Sequence, residues 1–114
     1  YAERDEVVYM ICMDAKCKVL NCKLLFRGGV NSANISIRKI VENALIYNST
    51  NVIIAHNHTS GFALPSEEDE ESTKKIFDAL RAVDINLVDH IIVAGDDFVS
   101  LADNGFFKML RKSI

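Results

Sequence analysis

The sequence predicts an α/β (α+β) fold in which a mixed β-sheet is flanked by helices, a three-layer arrangement. Segments rich in Val, Ile and aromatic residues, which are typical of strands, alternate with segments whose apolar residues recur at helical spacing. Their order is β-β-α-β-α-β-β-α, which builds a mixed sheet with helices packed on its faces. The chain has 114 residues, enough for one hydrophobic core and too few for two, so residues 1–114 are predicted to form a single domain.

The composition excludes several functional classes. The chain is 49% hydrophobic and 25% charged, as in ordinary globular proteins, and no apolar run approaches the roughly 20 residues of a membrane-spanning helix. A net charge of −3 argues against direct nucleic-acid binding by this fragment. Cys12, Cys17 and Cys22 form no CxxC pair, and the N-terminus does not resemble a secretory signal, so a reducing cytoplasm is the expected compartment.

The first half of the chain predicts a hairpin followed by a helix. Glu6–Met13 is rich in β-favouring residues, residues 14–16 form a turn, and residues 18–26 form a second strand that residues 27–29 end. A helix then begins near Ile37, with Asn34 or Ser36 as its N-cap. Its buried face is expected to consist of the apolar residues at helical spacing, which are Ile37, Ile40, Val41, Ala44 and Leu45.

The second half predicts a buried strand, a helix, two further strands and a terminal helix. Residues 52–55 show no alternation and predict a central strand that is covered on both faces. A helix opens at Ser66 with acidic residues in its first turn, as the helix dipole favours. The remaining elements are predicted at residues 85–94 (a strand broken at positions 89–90), 98–101 (a short strand) and 104–111 (a helix). The buried stripe of the second helix is predicted to contain Ile76, Phe77, Leu80 and Val83.

Two histidines follow the predicted central strand and a carboxylate opens the next helix. His56 and His58 are two residues apart, so both imidazoles can point to one ion, and two imidazoles with one carboxylate are a common ligand set for catalytic zinc. The pair alone is weak support, because such pairs also arise by chance. Ser66 and Asp69 have a structural explanation of their own, since Ser66-Glu67-Glu68-Asp69 resembles a capping box.

Taken together, His56-x-His58, seven further residues and Ser66-x-x-Asp69 resemble the JAMM motif of JAB/MPN metalloproteases. Neighbouring segments are similar to the RadC branch of that family. They are His56-Asn57-His58-Thr59-Ser60-Gly61, Pro65-Ser66, Asp89-His90-Ile91-Ile92-Val93, the Ser100 segment, and Phe26-Arg27-Gly28-Gly29-Val30-Asn31-Ser32-Ala33 followed by Arg38. The resemblance extends from about position 6 to position 100, nearly the whole chain, with several motifs in matching order and spacing.

The resemblance implies a fold, a metal and an activity. His56, His58 and Asp69 match the zinc ligands of the family, and Ser66 matches a serine that helps to stabilise the oxyanion. Glu6 matches the catalytic glutamate, with Glu3 as the less favoured candidate. The implied protein is a zinc-dependent metallopeptidase or isopeptidase with a JAB/MPN fold, similar to that of cytidine deaminases. RadC proteins also have a helical segment ahead of this domain, so the chain is expected to be a C-terminal fragment of a longer protein.

The sequence departs from the RadC pattern at three positions. Thr59 and Ile37 stand where proline is usual, and Lys39 stands where an acidic residue is usual. None of the three is a proposed ligand. Without proline, the loop after His58 is expected to be looser.

Other functions remain open from the sequence. RadC proteins have a historical link to DNA repair, so a zinc-stabilised protein-interaction or DNA-repair accessory module is the main alternative to a hydrolase. A zinc deaminase is disfavoured because no cysteine follows Cys22. His90 is expected either to form structural hydrogen bonds or to contact a metal ligand. The expected partners are an unidentified peptide or protein substrate and, through exposed sheet edges, a second copy of the chain.

Overall fold

The computed structural model describes residues 5–28, 36–59 and 62–112. Its elements in chain order are β1 (Glu6–Met13), β2 (Val19–Gly28), α1 (Ile37–Ile46), β3 (Asn51–Asn57), α2 (Glu67–Arg81), β4 (Asn86–Ala94), β5 (Asp97–Ser100) and α3 (Phe106–Lys112). The predicted order of strands and helices and the predicted mixed α+β fold are confirmed. None of the helices in the described part of the chain is long and apolar enough to cross a membrane.

The five strands form one mixed sheet in the order β2-β1-β3-β4-β5. β1 pairs antiparallel with β2 and β3, β3 pairs parallel with β4, and β5 returns antiparallel along β4. The parallel pair requires a crossover connection, which α2 supplies. β3 therefore lies at the centre of the sheet, as its uninterrupted apolar sequence predicts.

All three helices contribute to one hydrophobic core on one face of the sheet. This core includes Val8, Met10 and Cys12 of β1, Val52 and Ile54 of β3, Ile40 and Ala44 of α1, Ile76, Phe77 and Leu80 of α2, and Phe106, Phe107 and Leu110 of α3. On the opposite face of β3, Ile53 and Ala55 are only partly buried. Among the described residues, one face of the central strand is therefore more deeply buried than the other. The more buried face is the one that packs against the helices, and it also carries His56.

The strands differ from the prediction in three ways that exceed a shift of one residue at an end. β2 continues to Gly28, because Arg27 and Gly28 still pair with the start of β1. β4 passes through Asp89 and His90 without a break, because both residues pair with β3. β3 itself extends to Asn57, so His56 lies inside the strand. In each case pairing between strands overrides a local sequence signal.

The helices begin close to their predicted positions, but two of the side chains that were predicted to be buried are exposed. Ser36 is the N-cap of α1, where its hydroxyl accepts a 3.2 Å hydrogen bond from the backbone N–H of Lys39, while the other candidate, Asn34, lies outside the described residues. Leu45 is 54% exposed, because α1 turns Ile40 and Ala44 towards the core. Val83 is 37% exposed, because α2 ends at Arg81 and the helical period does not continue.

Candidate metal centre

His56 and His58 project from the end of β3 towards the helices. His56 pairs with Val8 of β1 across the antiparallel ladder, and both side chains are buried on the helix-covered face. Beyond the strand, the backbone N–H of His58 donates to the carbonyl of Val93 at 2.8 Å. This bond continues the extended course of the chain, so that the side chain of His58 returns to the same side as His56.

Asp69 lies opposite the two histidines, in the first turn of α2. The hydroxyl of Ser66 accepts from the backbone N–H of Asp69 at 3.0 Å, and the Asp69 carboxylate accepts from the backbone N–H of Ser66 at 2.8 Å. The predicted capping box is thus present. It aims the carboxylate at the histidines, with Oδ1 3.3 Å from Nε2 of His56 and Oδ2 3.0 Å from Nε2 of His58.

The Asp69 carboxyl is buried yet held in its charged form. Burial alone raises its pKa, since the charged form loses solvation. The hydrogen bond from His56 and the backbone N–H of Ser66 outweigh that effect and hold the pKa of Asp69 well below its ordinary value. A carboxylate that is 2% exposed and ionised requires a cationic partner or a metal ion beside it.

The donor atoms of His56, His58 and Asp69 all lie within 4.8 Å of one another. Two imidazole nitrogens and a carboxylate oxygen suit a divalent transition metal and leave a further coordination position open. The orientation of His58 also fits, because its Nδ1 lies 3.3 Å from the carbonyl oxygen of Phe62. A carbonyl can only accept, so it favours a proton on Nδ1 and leaves Nε2 of His58 unprotonated. The three residues therefore fit a metal site.

A buried polar chain lies behind His56. Nδ1 of His56 is 2.7 Å from Nε2 of His90, whose Nδ1 is 2.5 Å from the hydroxyl of Thr73. Burial, followed by repulsion from His56, lowers the pKa of His90 to about 3. His90 thus forms buried hydrogen bonds, the first of the two roles expected from the sequence, and one of them is to a candidate ligand, as the second role requires. Sequence reasoning missed Thr73, although its position four residues after Asp69 places it on the same buried face of α2.

Glu6 stands at the start of β1 on the face that also carries His56, and it is partly buried. Its carboxylate forms no hydrogen bond or ion pair with the two histidines or Asp69, so the structure brings these three together without Glu6. Glu3 lies outside the described residues. The backbone around Glu6 is held by Asn57, whose Oδ1 accepts from the N–H of Val7 at 2.6 Å. Asn57 was also missed, because nothing in the sequence distinguishes it from a linker between the two histidines.

The three departures from the RadC pattern involve none of the candidate ligands. Ile37 and Lys39 are in the first turn of α1, where Lys39 is exposed. Thr59 is exposed beside His58, and residues 60–61 of the loop that it opens lie outside the described part of the chain. None of these positions alters the donor set.

Comparisons with known proteins agree with this geometry. Residues 1–106 match the family model described as the RadC-like JAB domain. A UPF0758 protein of Pseudoalteromonas translucida is 43% identical over 102 residues, which are 90% of this chain and 46% of that protein. UPF0758 proteins of Photobacterium profundum (42%) and of Aliivibrio fischeri strain MJ11 (38%) match over 101 residues, 89% of this chain and 45% of theirs. The chain thus spans a little under half the length of these curated relatives. It belongs to the RadC-like JAB domain family.

Proposed function

We propose that this domain is a zinc-dependent hydrolase of peptide or isopeptide amides, of the JAMM class. The observation that carries the proposal is the convergence of His56, His58 and an ionised, buried Asp69 at the end of the central strand. This donor set is typical of catalytic zinc sites, in which three protein ligands leave a position for water or substrate. Membership of the RadC-like JAB family supports the same assignment.

In the proposed mechanism, different residues of the chain have different roles in amide hydrolysis. A bound Zn²⁺ would lower the pKa of a water molecule towards about 7 and polarise the substrate carbonyl. Glu6 takes the proton from the attacking water and delivers it to the leaving amine. The oxygen of the Ser66 hydroxyl is occupied by the N–H of Asp69, so its own proton remains available to the carbonyl oxygen, where negative charge develops.

Metal content tests the centre itself. We expect purified wild-type protein to contain zinc after expression with zinc supplied, and the double variant His56→Ala/His58→Ala to contain far less. Elemental analysis measures both, with the unfolding transition of the variant as the check on its fold. If the double variant contains as much zinc as the wild type, the proposed metal centre is wrong.

Activity tests the hydrolase. Zinc-loaded protein is incubated with panels of peptide, isopeptide and ester substrates, alongside the variant Glu6→Gln. Glu6→Gln keeps the size of the side chain but cannot accept the proton, so turnover should be lost while zinc content stays at the wild-type level. Equal turnover by wild type and Glu6→Gln would exclude Glu6 as the base.

A second candidate function is a zinc-stabilised docking module, possessing the metal centre without hydrolysis and serving as an accessory in DNA repair. A groove of about 460 Å³ between α2 and α3 favours it. The groove is lined by Phe106, Met109 and Leu110 and bordered by Glu67, Glu70, Glu71 and Lys74. Its apolar floor and mainly acidic border suit a protein segment with an apolar side chain between basic residues.

The groove separates the two candidates. Met109→Glu places a charge on the apolar floor and should abolish partner binding without changing zinc content or turnover. Loss of partner binding by Met109→Glu, together with a wild-type protein that is inactive on every substrate, would favour docking over hydrolysis.

For either function we propose that the protein is in the cytoplasm, which suits the three free cysteines Cys12, Cys17 and Cys22. The edge strands β2 and β5 are where a homodimer would pair, and sedimentation measures this directly.

A further inference from the structure

A chain of buried side chains leads from His56 back to the helix that carries Asp69. Nδ1 of His56 lies 2.7 Å from Nε2 of His90, Nδ1 of His90 lies 2.5 Å from the Thr73 hydroxyl, and that hydroxyl donates to the backbone carbonyl of Asp69 at 2.6 Å. His90 is 1% exposed and Thr73 is 0% exposed. Because water does not reach these groups, each proton in the chain must find its acceptor within the chain.

The last bond sets the direction of the others. A carbonyl oxygen can only accept, so the single hydroxyl proton of Thr73 is used on Asp69, and the hydroxyl oxygen is left to accept from His90. His90 therefore has its proton on Nδ1, and its Nε2 accepts. His56 must then donate through Nδ1, so its Nε2, which faces Asp69, is the nitrogen that can exchange its hydrogen bond to Asp69 for a metal ion.

We infer that Thr73 and His90 are positioning residues that hold His56 in the tautomer protonated at Nδ1, so that Nε2 is free to bind a metal ion. This inference rests on the proposed metal centre. If the chain ran the other way, Thr73 would donate to His90, and His90 would donate from Nε2 to His56. Neutral His56 would then carry its proton on Nε2, where the ion binds. The bond from Thr73 to the Asp69 carbonyl selects between the two directions.

The two histidines of the centre are thus oriented by different means. His58 faces the carbonyl of Phe62, which cannot act as a donor, so its tautomer depends on one backbone group. The tautomer of His56 depends on another histidine, which can donate or accept at either nitrogen. The site consequently needs Thr73 to fix His90, and a change at Thr73 should affect a metal ligand that it does not touch.

The first test measures the tautomers directly in the metal-free wild-type domain, where no ion on Nε2 of His56 dictates them. Long-range ¹H–¹⁵N NMR correlations of the imidazole rings should show His90 protonated at Nδ1 alone, and His56 protonated at Nδ1. A proton on Nε2 of His90 in the metal-free protein would overturn the inference. This measurement needs no variant, so it decides the question whatever the variants do.

The second test compares Thr73→Val with Thr73→Ser. Valine keeps the shape of threonine without its hydroxyl, whereas serine keeps the hydroxyl. Zinc affinity, measured by competition with a chelator, should fall about 10- to 100-fold in Thr73→Val and stay near the wild-type value in Thr73→Ser. In metal-free Thr73→Val the His90 proton should also move towards Nε2, a change that a loss of packing would not produce.

The outcomes separate this inference from the proposed function. If the wild type binds zinc and Thr73→Val binds it equally well, the role of Thr73 is overturned and the metal centre stands. Absence of zinc binding by the wild type would overturn the centre and the inference together.

Discussion

Asn57 Oδ1 accepts a 2.6 Å hydrogen bond from the backbone N–H of Val7, between the two strands that carry Glu6 and His56. The amide nitrogen of the same side chain donates to the carbonyl of Asp5 at 3.0 Å. Asn57 therefore holds the backbone on both sides of Glu6. In the proposed mechanism, one buried amide sets where the general base stands relative to the metal centre.

Asn57→Ala should lower the free energy of unfolding by about 1–3 kcal/mol, because the buried N–H of Val7 loses its acceptor. Hydrogen exchange at the Val7 amide should accelerate, while zinc content remains at the wild-type level. Urea unfolding and amide exchange by NMR measure these changes. The matched control is Asn43→Ala, since Asn43 donates to the Lys39 carbonyl on the surface of α1 and its loss should cost less than about 0.5 kcal/mol. Equal effects of the two variants would contradict the prediction.

Ser66 and Ser36 are both helix N-caps, and of the two only Ser66 adjoins the candidate metal centre. Each substitution to alanine should cost about 1 kcal/mol of stability, because each removes an acceptor for a backbone N–H in the first turn. Ser66→Ala should in addition reduce turnover about 10²- to 10³-fold, since the hydroxyl that is proposed to donate to the oxyanion is lost.

The pair separates capping from catalysis. Thermal unfolding gives the stability of each variant, and initial rates with zinc-loaded protein give the turnover. If Ser36→Ala loses as much activity as Ser66→Ala, the loss reflects stability and Ser66 has no part in the reaction.

The sequence could predict the order of elements because each signal is local. The β-favouring residues of Glu6–Met13 and the capping residue Ser66 fix their elements through nearest neighbours, and both elements begin where predicted. Other boundaries depend on partners far along the chain. Asp89 and His90 look like a break in a strand, yet the ladder to β3 carries the strand through them.

The same distinction applies to the site. His56, His58 and Asp69 stand out in the sequence through their spacing, and the fold brings them together. Thr73 and Asn57 are ordinary polar residues in the sequence, and their significance comes from what they face in space. Their hydrogen-bond partners, His90 and Val7, are 17 and 50 positions away, so no local pattern could identify them.

The stability of the metal-free protein should depend on pH through His90. Its pKa is lowered to about 3 by burial and by His56, with an opposing effect of Asp69 and a smaller repulsion from His58, whereas in the unfolded chain it is about 6.5. Between these values the unfolded state binds a proton that the folded state does not. The free energy of unfolding should therefore fall as the pH drops from about 6.5 towards 3, by up to about 1.4 kcal/mol per pH unit from His90 alone.

Urea unfolding at pH 8, 7, 6 and 5 measures this slope in wild type and in His90→Gln. Above about pH 6.5 His90 is neutral in both states and contributes nothing to the slope. The pKa of Asp69 lies below its unfolded value, so its contribution is present above about pH 4 and is lost only in stronger acid. A slope between pH 6.5 and 5 that is the same in wild type and His90→Gln would contradict the assignment to His90.

Asp69→Asn tests whether the carboxylate charge, as opposed to the shape of the side chain, holds the metal. The amide oxygen of asparagine can still accept from the backbone N–H of Ser66, so the start of α2 should keep its geometry. The charge and one ligand oxygen are lost, so zinc affinity should fall by more than the about 100-fold expected for removal of an outer partner such as Thr73.

The matched control for Asp69→Asn is Asp78→Asn on the same helix. Asp78 pairs with Lys74 at 3.1 Å on the surface, where an ion pair contributes between about 0 and 1 kcal/mol. Its substitution should leave zinc affinity unchanged, and chelator competition measures both variants under the same conditions. If the two variants bind zinc equally well, the depressed pKa of Asp69 reflects only its partners in the capping box and the histidines, and the metal must be held elsewhere.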